Sequence, residues 1–240
     1  MAVVAVSRRT VKITPISRID QVRDAILTQI ALGNLPPGER LYEAKLSKEL
    51  GVSQATVNAA LQDLHNQGLV TKVLNRSTNV NRFTLDDVRK LFQVRLALEP
   101  AAAEAVAARW SSEIERVLLD RLETMRRAAR GPDIGNWCLS DYRFHQEIFR
   151  LSGNPFLIQA GQAIAAVPFF YILCDSLHRL PSDDYRMMTE EHRELIEAIG
   201  QGPDAAGRLT RELVLKWLAW LVDSGGTHPS GVRSSTASRV

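Results

Sequence analysis

A mainly α protein is predicted in two parts: an N-terminal winged helix-turn-helix domain, then an all-α antiparallel bundle of about six helices. Three features predict it. Two short amphipathic segments are hinged at Gly51, with Leu46 and Leu50 on one and Val57, Ala60, Leu61 and Leu64 on the other. Strand-like sequence, Leu69-Val-Thr-Lys-Val73, follows directly after Gly68. From Thr84 onward the apolar period stays helical nearly to the end, interrupted only by short Gly, Pro and Ser breaks.

Residues 1–16 read as a disordered arm bearing Arg8, Arg9 and Lys12. Ile19, Val22, Ile26, Leu27 and Ile30 then recur at helical spacing, and Gly33 with Pro36-Pro37-Gly38 closes that helix. In the hinge, Gly51 can take the positive φ that ends a helix, and Ser53 caps the next. That next helix holds the place of a recognition helix, the element that enters a DNA major groove. A wing spans about 70–81, its tip at Asn75-Arg-Ser-Thr78, where Asn tolerates the left-handed conformation. The first domain therefore runs 17–82.

The second domain, 83–223, opens at Thr84-Leu-Asp-Asp87, a capping box with Asp in place of Glu, which starts a helix towards Trp110. Ser111 or Ser112 opens another that ends near Gly131-Pro132. A third covers about 136–151 and stops at Ser152-Gly-Asn-Pro155. A fourth runs on to about Cys174, kinked at Pro168. The last two cover about 184–199 and 204–222, split by Gly200-Gln-Gly-Pro203. Short breaks between helices imply antiparallel neighbours. Residues 224–240 read as a flexible tail.

Hydrophobic residues at 45% supply a core, and no apolar run of about 18 residues exists, so no membrane partner is expected. The N-terminus has no charged region before its apolar start, and Cys138 and Cys174 lack metal-type spacing, as in a reduced cytoplasmic protein. Charge is uneven. Residues 1–80 hold ten Lys/Arg against six Asp/Glu, whereas the remainder holds 20 against 21. A basic first third on a near-neutral remainder suits a DNA-reading domain joined to something else.

The chain resembles the GntR family of bacterial transcription regulators, in its FadR-like branch, over about residues 17–222. The resemblance rests on Leu35-Pro-Pro-Gly38-Glu-Arg40-Leu41, Leu46-Ser47 through Gly51-Val-Ser53, and Gly68-Leu-Val70. In the second domain it rests on Val94-Arg95-Leu-Ala-Leu98-Glu99, Asp141-Tyr-Arg-Phe-His145, Ser152-Gly-Asn154 and Glu191-His192-Arg. It implies a dimer on a two-fold DNA operator, controlled by a small effector, with repression the commoner outcome. Ser53, Gln54, Ala55, Thr56 and Asn58 are the base-facing candidates, with Arg40, Lys45, Lys48, Lys72 and Arg76 nearer the phosphates. That family usually places arginines where this chain has Gln54 and Asn58, and an arginine of the preceding helix where it has Ala44. Arginine reads guanine, while Gln and Asn pair best with adenine, so an operator richer in A·T is expected.

Asp141 and His145, four apart, project from one helix face, a spacing that suits two ligands of a divalent metal such as zinc or nickel. A simple i,i+4 contact on the helix surface is the alternative. The resemblance adds His192 as a third ligand. It also implies a last histidine about 22 residues further on, where this chain has Val214, or Leu213 or Leu215 if the register shifts. Asp141, His145 and His192 would then form a three-ligand site completed by water or an effector carboxylate, or a metal-free pocket, with Glu212 or His178 as substitute ligands. Arg95, if turned inward, binds an acidic effector or pairs with Glu99 or Asp141. Trp137, Tyr142, Phe144, Phe169, Phe170 and Tyr171 read as core, while Trp217 and Trp220 line a pocket or pack at a dimer face. Two other classes compete: a metal-dependent enzyme built on Asp141, His145 and His192, and a helix-turn-helix protein working through protein contacts.

Overall fold

The computed structural model describes residues 17–73, 77–131, 134–165 and 182–223. The arm, Asn75 and Arg76 of the wing tip, Pro168, the aromatic run 169–171, Cys174, His178 and the tail lie outside the described residues, while Ser77 and Thr78, expected in the tip, belong to a strand. Helix α1 (Arg18–Ala31) starts where the Ser17 hydroxyl accepts from the Asp20 N–H at 3.1 Å. A two-residue strand β1 (Arg40–Leu41) precedes α2 (Glu43–Leu50), and α3 (Gln54–Asn66) follows. Gly51 ends α2 at φ 64°, and the Ser53 hydroxyl accepts from the Thr56 N–H at 3.1 Å to start α3. Strands β2 (Val70–Val73) and β3 (Ser77–Val80) complete an antiparallel sheet of order β1-β3-β2, with Arg40 opposite Asn79 and Val70 opposite Val80. Strand β1 was not expected; two residues are too few to leave a period-2 pattern. Val22, Ile26, Leu27, Val57, Leu61 and Leu64 form the core of this domain.

Six helices follow among the described residues: α4 (Leu85–Ala107), α5 (Ser112–Ala129), α6 (Ile134–Leu151), α7 (Pro155–Ala165), α8 (Ser182–Gln201) and α9 (Pro203–Asp223). The capping box is present. Thr84 Oγ1 accepts from the Asp87 N–H at 3.2 Å, and Asp87 Oδ2 accepts from the Thr84 N–H at 2.8 Å. Pro100 lies inside α4, whose helix continues through it. Asn154 Oδ1 accepts from the Phe156 N–H at 3.0 Å and so opens α7. Buried Trp137, Phe144, Phe149, Leu118, Leu122 and Met125 fill the bundle.

The two domains touch where α1 crosses α6. Gly135 of α6 has no side chain, and an added Cβ would stand 2.5 Å from Leu32 Cδ2. Further along, the Arg143 guanidinium of α6 donates to Asp24 of α1 at 2.9 Å. Among the described residues no helix is long and apolar enough to cross a membrane.

Candidate functional site

The described residues carry two candidate sites, one in each domain. The first is the outer edge of α3, where Gln54, Ala55 and Asn58 are exposed. The Ser53 and Thr56 hydroxyls lie 2.8 Å apart and are bound up in the helix cap. Asn58 Nδ2 donates to Glu43 Oε1 at 2.7 Å, and Lys72 Nζ on β2 stands 3.9 Å from that same oxygen. Of the flanking cations, Lys48 is exposed, Lys45 is 3.9 Å from Glu49, and the Arg40 guanidinium lies 5.0 Å from the centre of the Tyr42 ring. Neither Glu43 nor Tyr42 was among the sequence candidates. Glu43 sits 15 residues from Asn58, and no local pattern links them.

The second site is a cavity of about 50 Å³ inside the bundle, walled by Arg95 and Glu99 of α4, Asp141 and His145 of α6, His192 of α8 and Trp217 of α9, with Met188, Leu213 and Val214 among its apolar lining. Helix spacing puts Asp141 and His145 on one face of α6, and α8 brings His192 against them. Asp141 Oδ1 is 2.9 Å from His192 Nε2, and the two imidazole Nε2 atoms are 3.3 Å apart. One donor atom from each of the three residues falls within 4.8 Å of the others. His192 Nδ1–H donates to the Met188 carbonyl at 2.9 Å, which leaves Nε2 to face Asp141 and His145. Asp141 is buried, and its Oδ2 has no hydrogen-bond partner among the described residues. An orphaned, buried carboxylate oxygen beside two converging imidazole nitrogens fits a divalent cation.

The electrostatics agree with that use. Burial pushes the His145 imidazole down to about 3, against the attraction of Asp141 and helped by repulsion from His192 and Arg95. The ring is therefore neutral at neutral pH, with one of its two nitrogens unprotonated. His192 moves the other way: burial opposes its charge, but the Asp141 charge and hydrogen bond, the Met188 carbonyl and Glu191 together raise it. Arg95 Nε donates to Glu99 Oε1 at 2.5 Å and Nη2 to Glu99 Oε2 at 3.2 Å, with the guanidinium 4.6 Å from the centre of the Phe92 ring. Glu191 accepts from Lys216 Nζ at 2.6 Å and from Trp217 Nε1 at 3.2 Å.

Residues 18–80 match the description "Bacterial regulatory proteins, gntR family", and residues 90–215 match "FCD domain". The chain belongs to the GntR family. A relative named "Probable D-xylose utilization operon transcriptional repressor", from Paenarthrobacter nicotinovorans, is 29% identical over 232 residues, covering 96% of this chain and 99% of that one. The HTH-type transcriptional regulator Mce2R of Mycobacterium tuberculosis (strain CDC 1551 / Oshkosh) is 30% identical over 145 residues, covering 52% of this chain and 58% of that one. Among solved structures, E. coli McbR/YncC shares the fold at a TM-score of 0.72 and 20% identity, over 86% of this chain and 98% of that one. This GntR protein is a DNA-binding transcription regulator with an FCD effector domain, and the reading as a metal-dependent enzyme is set aside.

In this GntR regulator Asp141, His145 and His192 come together. Arg95 lines the same cavity but spends its guanidinium on Glu99, the pairing that competed with a direct effector contact. Val214 and Leu213 wall the cavity where the family's last histidine was sought, while Leu215 and Glu212 are exposed and cannot reach in. Trp217 lines the cavity, whereas Trp220 is buried behind it, the two ring centroids 5.3 Å apart.

Proposed function

We propose that this GntR regulator is a repressor that binds a two-fold operator as a homodimer and is released by a small carboxylate effector. The effector is held in the FCD cavity with the help of a divalent metal such as zinc or nickel. In this reading 17–82 is the DNA-binding domain and 83–223 the effector and dimerisation domain. Gln54, Ala55 and Asn58 face bases, with Ser53 and Thr56 at the helix start. Arg40, Lys45, Lys48, Lys72 and Arg76 lie nearer the phosphates. Repression draws support from the relative named as a transcriptional repressor.

One observation carries the effector half: Asp141 Oδ2 is buried without a hydrogen-bond partner beside His145 and His192. These three would hold the ion, which when bound would offer an open coordination position to a carboxylate oxygen. Charge supports an anion. Around the cavity Glu99, Asp141 and Glu191 face two cations, Arg95 and Lys216. One divalent ion turns that small negative excess into a positive one, which a single carboxylate neutralises. A cavity of about 50 Å³ admits a ligand of only a few heavy atoms. Arg95, locked by Glu99, shapes and charges the wall instead of gripping the ligand.

Coupling to DNA would run through α6. Asp141 and His145 face the cavity, while Arg143, about 200° round the helix from Asp141, holds Asp24 of α1. A ligand can shift the operator equilibrium only by binding one arrangement of this contact better than another. The test is elemental analysis of protein purified after zinc loading, beside operator affinity. His145→Ala and His192→Ala are expected to lose the metal and the effector response while still binding operator. Full metal content in both variants would refute the site.

A further inference from the structure

We propose that Tyr42 is a positioning residue for DNA binding, whose ring holds the Arg40 guanidinium in place to take a phosphate. The proposal rests on the reading of the α3 edge as the DNA-facing surface. Tyr42 occupies the N-cap of α2, where Ser, Thr, Asp or Asn would accept a hydrogen bond from the first turn. Its side chain makes no such bond. Nor does the ring serve the core, since Tyr42 is 53% exposed, whereas Leu41 before it is 4% exposed. A large ring that neither caps its helix nor fills the core breaks a local rule, as residues at functional sites do.

What the ring does meet is a cation. Arg40 and Tyr42 flank buried Leu41 in extended backbone, with Tyr42 at φ −100° and ψ 113°, so their side chains emerge on the same side. The Arg40 guanidinium lies 5.0 Å from the centre of the Tyr42 ring, within the range of a cation–π contact. A ring holds a guanidinium without neutralising its charge, unlike the carboxylate of Glu99 beside Arg95. Ordering the long arginine side chain before DNA arrives also lowers the entropy that binding must overcome.

The location fits a backbone contact. The next residue, Glu43, accepts from Asn58 Nδ2 of α3 at 2.7 Å and stands 3.9 Å from Lys72 Nζ of β2. The start of α2 therefore lies at the seam between the recognition helix and the wing. Arg40 is itself tied to the wing, opposite Asn79 of β3. With α3 in the major groove and the wing beside it, that seam lies against the sugar–phosphate strand bordering the groove. A phosphate contact there fixes register and orientation without reading sequence.

The experiment takes the duplex that the full wild-type chain enriches from a random pool, and measures its affinity over a series of salt concentrations. Arg40→Ala, Tyr42→Leu, Tyr42→Phe and the double variant Arg40→Ala/Tyr42→Leu are compared, each first shown folded by its thermal melt. Arg40→Ala is expected to weaken binding by about tenfold, for one phosphate contact in each protomer of a dimer, and to make the salt dependence shallower. Tyr42→Leu keeps the bulk but loses the π face. It is expected to weaken binding by about threefold or more, again with a shallower salt dependence. Tyr42→Phe keeps the face and should stay within about twofold of wild type. In the Arg40→Ala background Tyr42→Leu should cost nothing further, because the ring acts through the guanidinium. Tyr42→Leu at wild-type affinity, Tyr42→Phe as weak as Tyr42→Leu, or losses that add in the double variant overturn the proposal and leave the DNA-binding reading standing. Arg40→Ala at wild-type affinity does the same. No duplex bound by the wild-type chain overturns both.

Discussion

At the scale of single residues, His145 and His192 give the ion-free protein a defined response to pH. Between about 3 and the ordinary imidazole value of 6.5, the unfolded chain protonates His145 and the folded one does not. Stability is therefore lost as pH falls through that window, by about 1.4 kcal/mol per pH unit at its steepest. His192, raised, does the reverse: its contribution is present below 6.5 and is lost as pH rises through the folded value. The melting temperature of metal-free protein is expected to peak near 6.5, and His145→Gln should flatten the acid limb. An acid limb unchanged in that variant would show that other groups control it. In the proposed site zinc uptake would displace the His192 proton, so zinc affinity, measured by competition with a chelator, is expected to rise with pH through the neutral range.

At the scale of elements, the α1–α6 crossing depends on a missing side chain. A Cβ at Gly135 would meet Leu32 Cδ2 at 2.5 Å, the Leu32 nitrogen at 3.0 Å and the Ala31 carbonyl carbon at 3.1 Å. Two of those atoms are backbone and cannot swing aside. Gly135→Val is expected to cost roughly 1–3 kcal/mol in denaturant unfolding, by forcing the helices apart. A change within a few tenths would mean the crossing tolerates movement. What was legible in the sequence was local. Gly51, the Ser53 cap, the Thr84–Asp87 box and the Gly/Pro breaks each write their element within a few residues, and Asp141 and His145 share a face by helix spacing alone. What was not legible joins distant segments. Glu43 meets Asn58 across 15 residues and Arg143 meets Asp24 across 119, and neither pair leaves a period or a motif. Whether the Arg95 side chain turns inward was not legible, and the sequence leaves its partner open between an acidic effector, Glu99 at i+4 and Asp141 on another helix; the structure pairs it with Glu99.

At the scale of the whole molecule, α6 carries two cavity residues, Asp141 and His145, and also Arg143, which holds Asp24 of α1 in the DNA-binding domain, so the Arg143–Asp24 pair is the contact proposed to link effector and operator. Both side chains are partly exposed, so their worth to stability is small. Their worth to coupling is a separate quantity. Asp24→Ala and Arg143→Ala are expected to leave operator affinity within a few-fold of wild type while shrinking the shift that an effector produces. The double variant should shrink it no further than either alone, because the two act as one contact. Additive losses would place the coupling elsewhere.

The central claim is that the Asp141–His145–His192 cavity controls DNA binding. Its most direct test is the operator affinity of zinc-loaded protein, titrated with a set of small monocarboxylates, for wild type beside His192→Ala. Weakening of wild-type binding by about tenfold with at least one acid, and none in His192→Ala, is the predicted result. An equal shift in both proteins, or no shift in wild type with any of the acids, would contradict it.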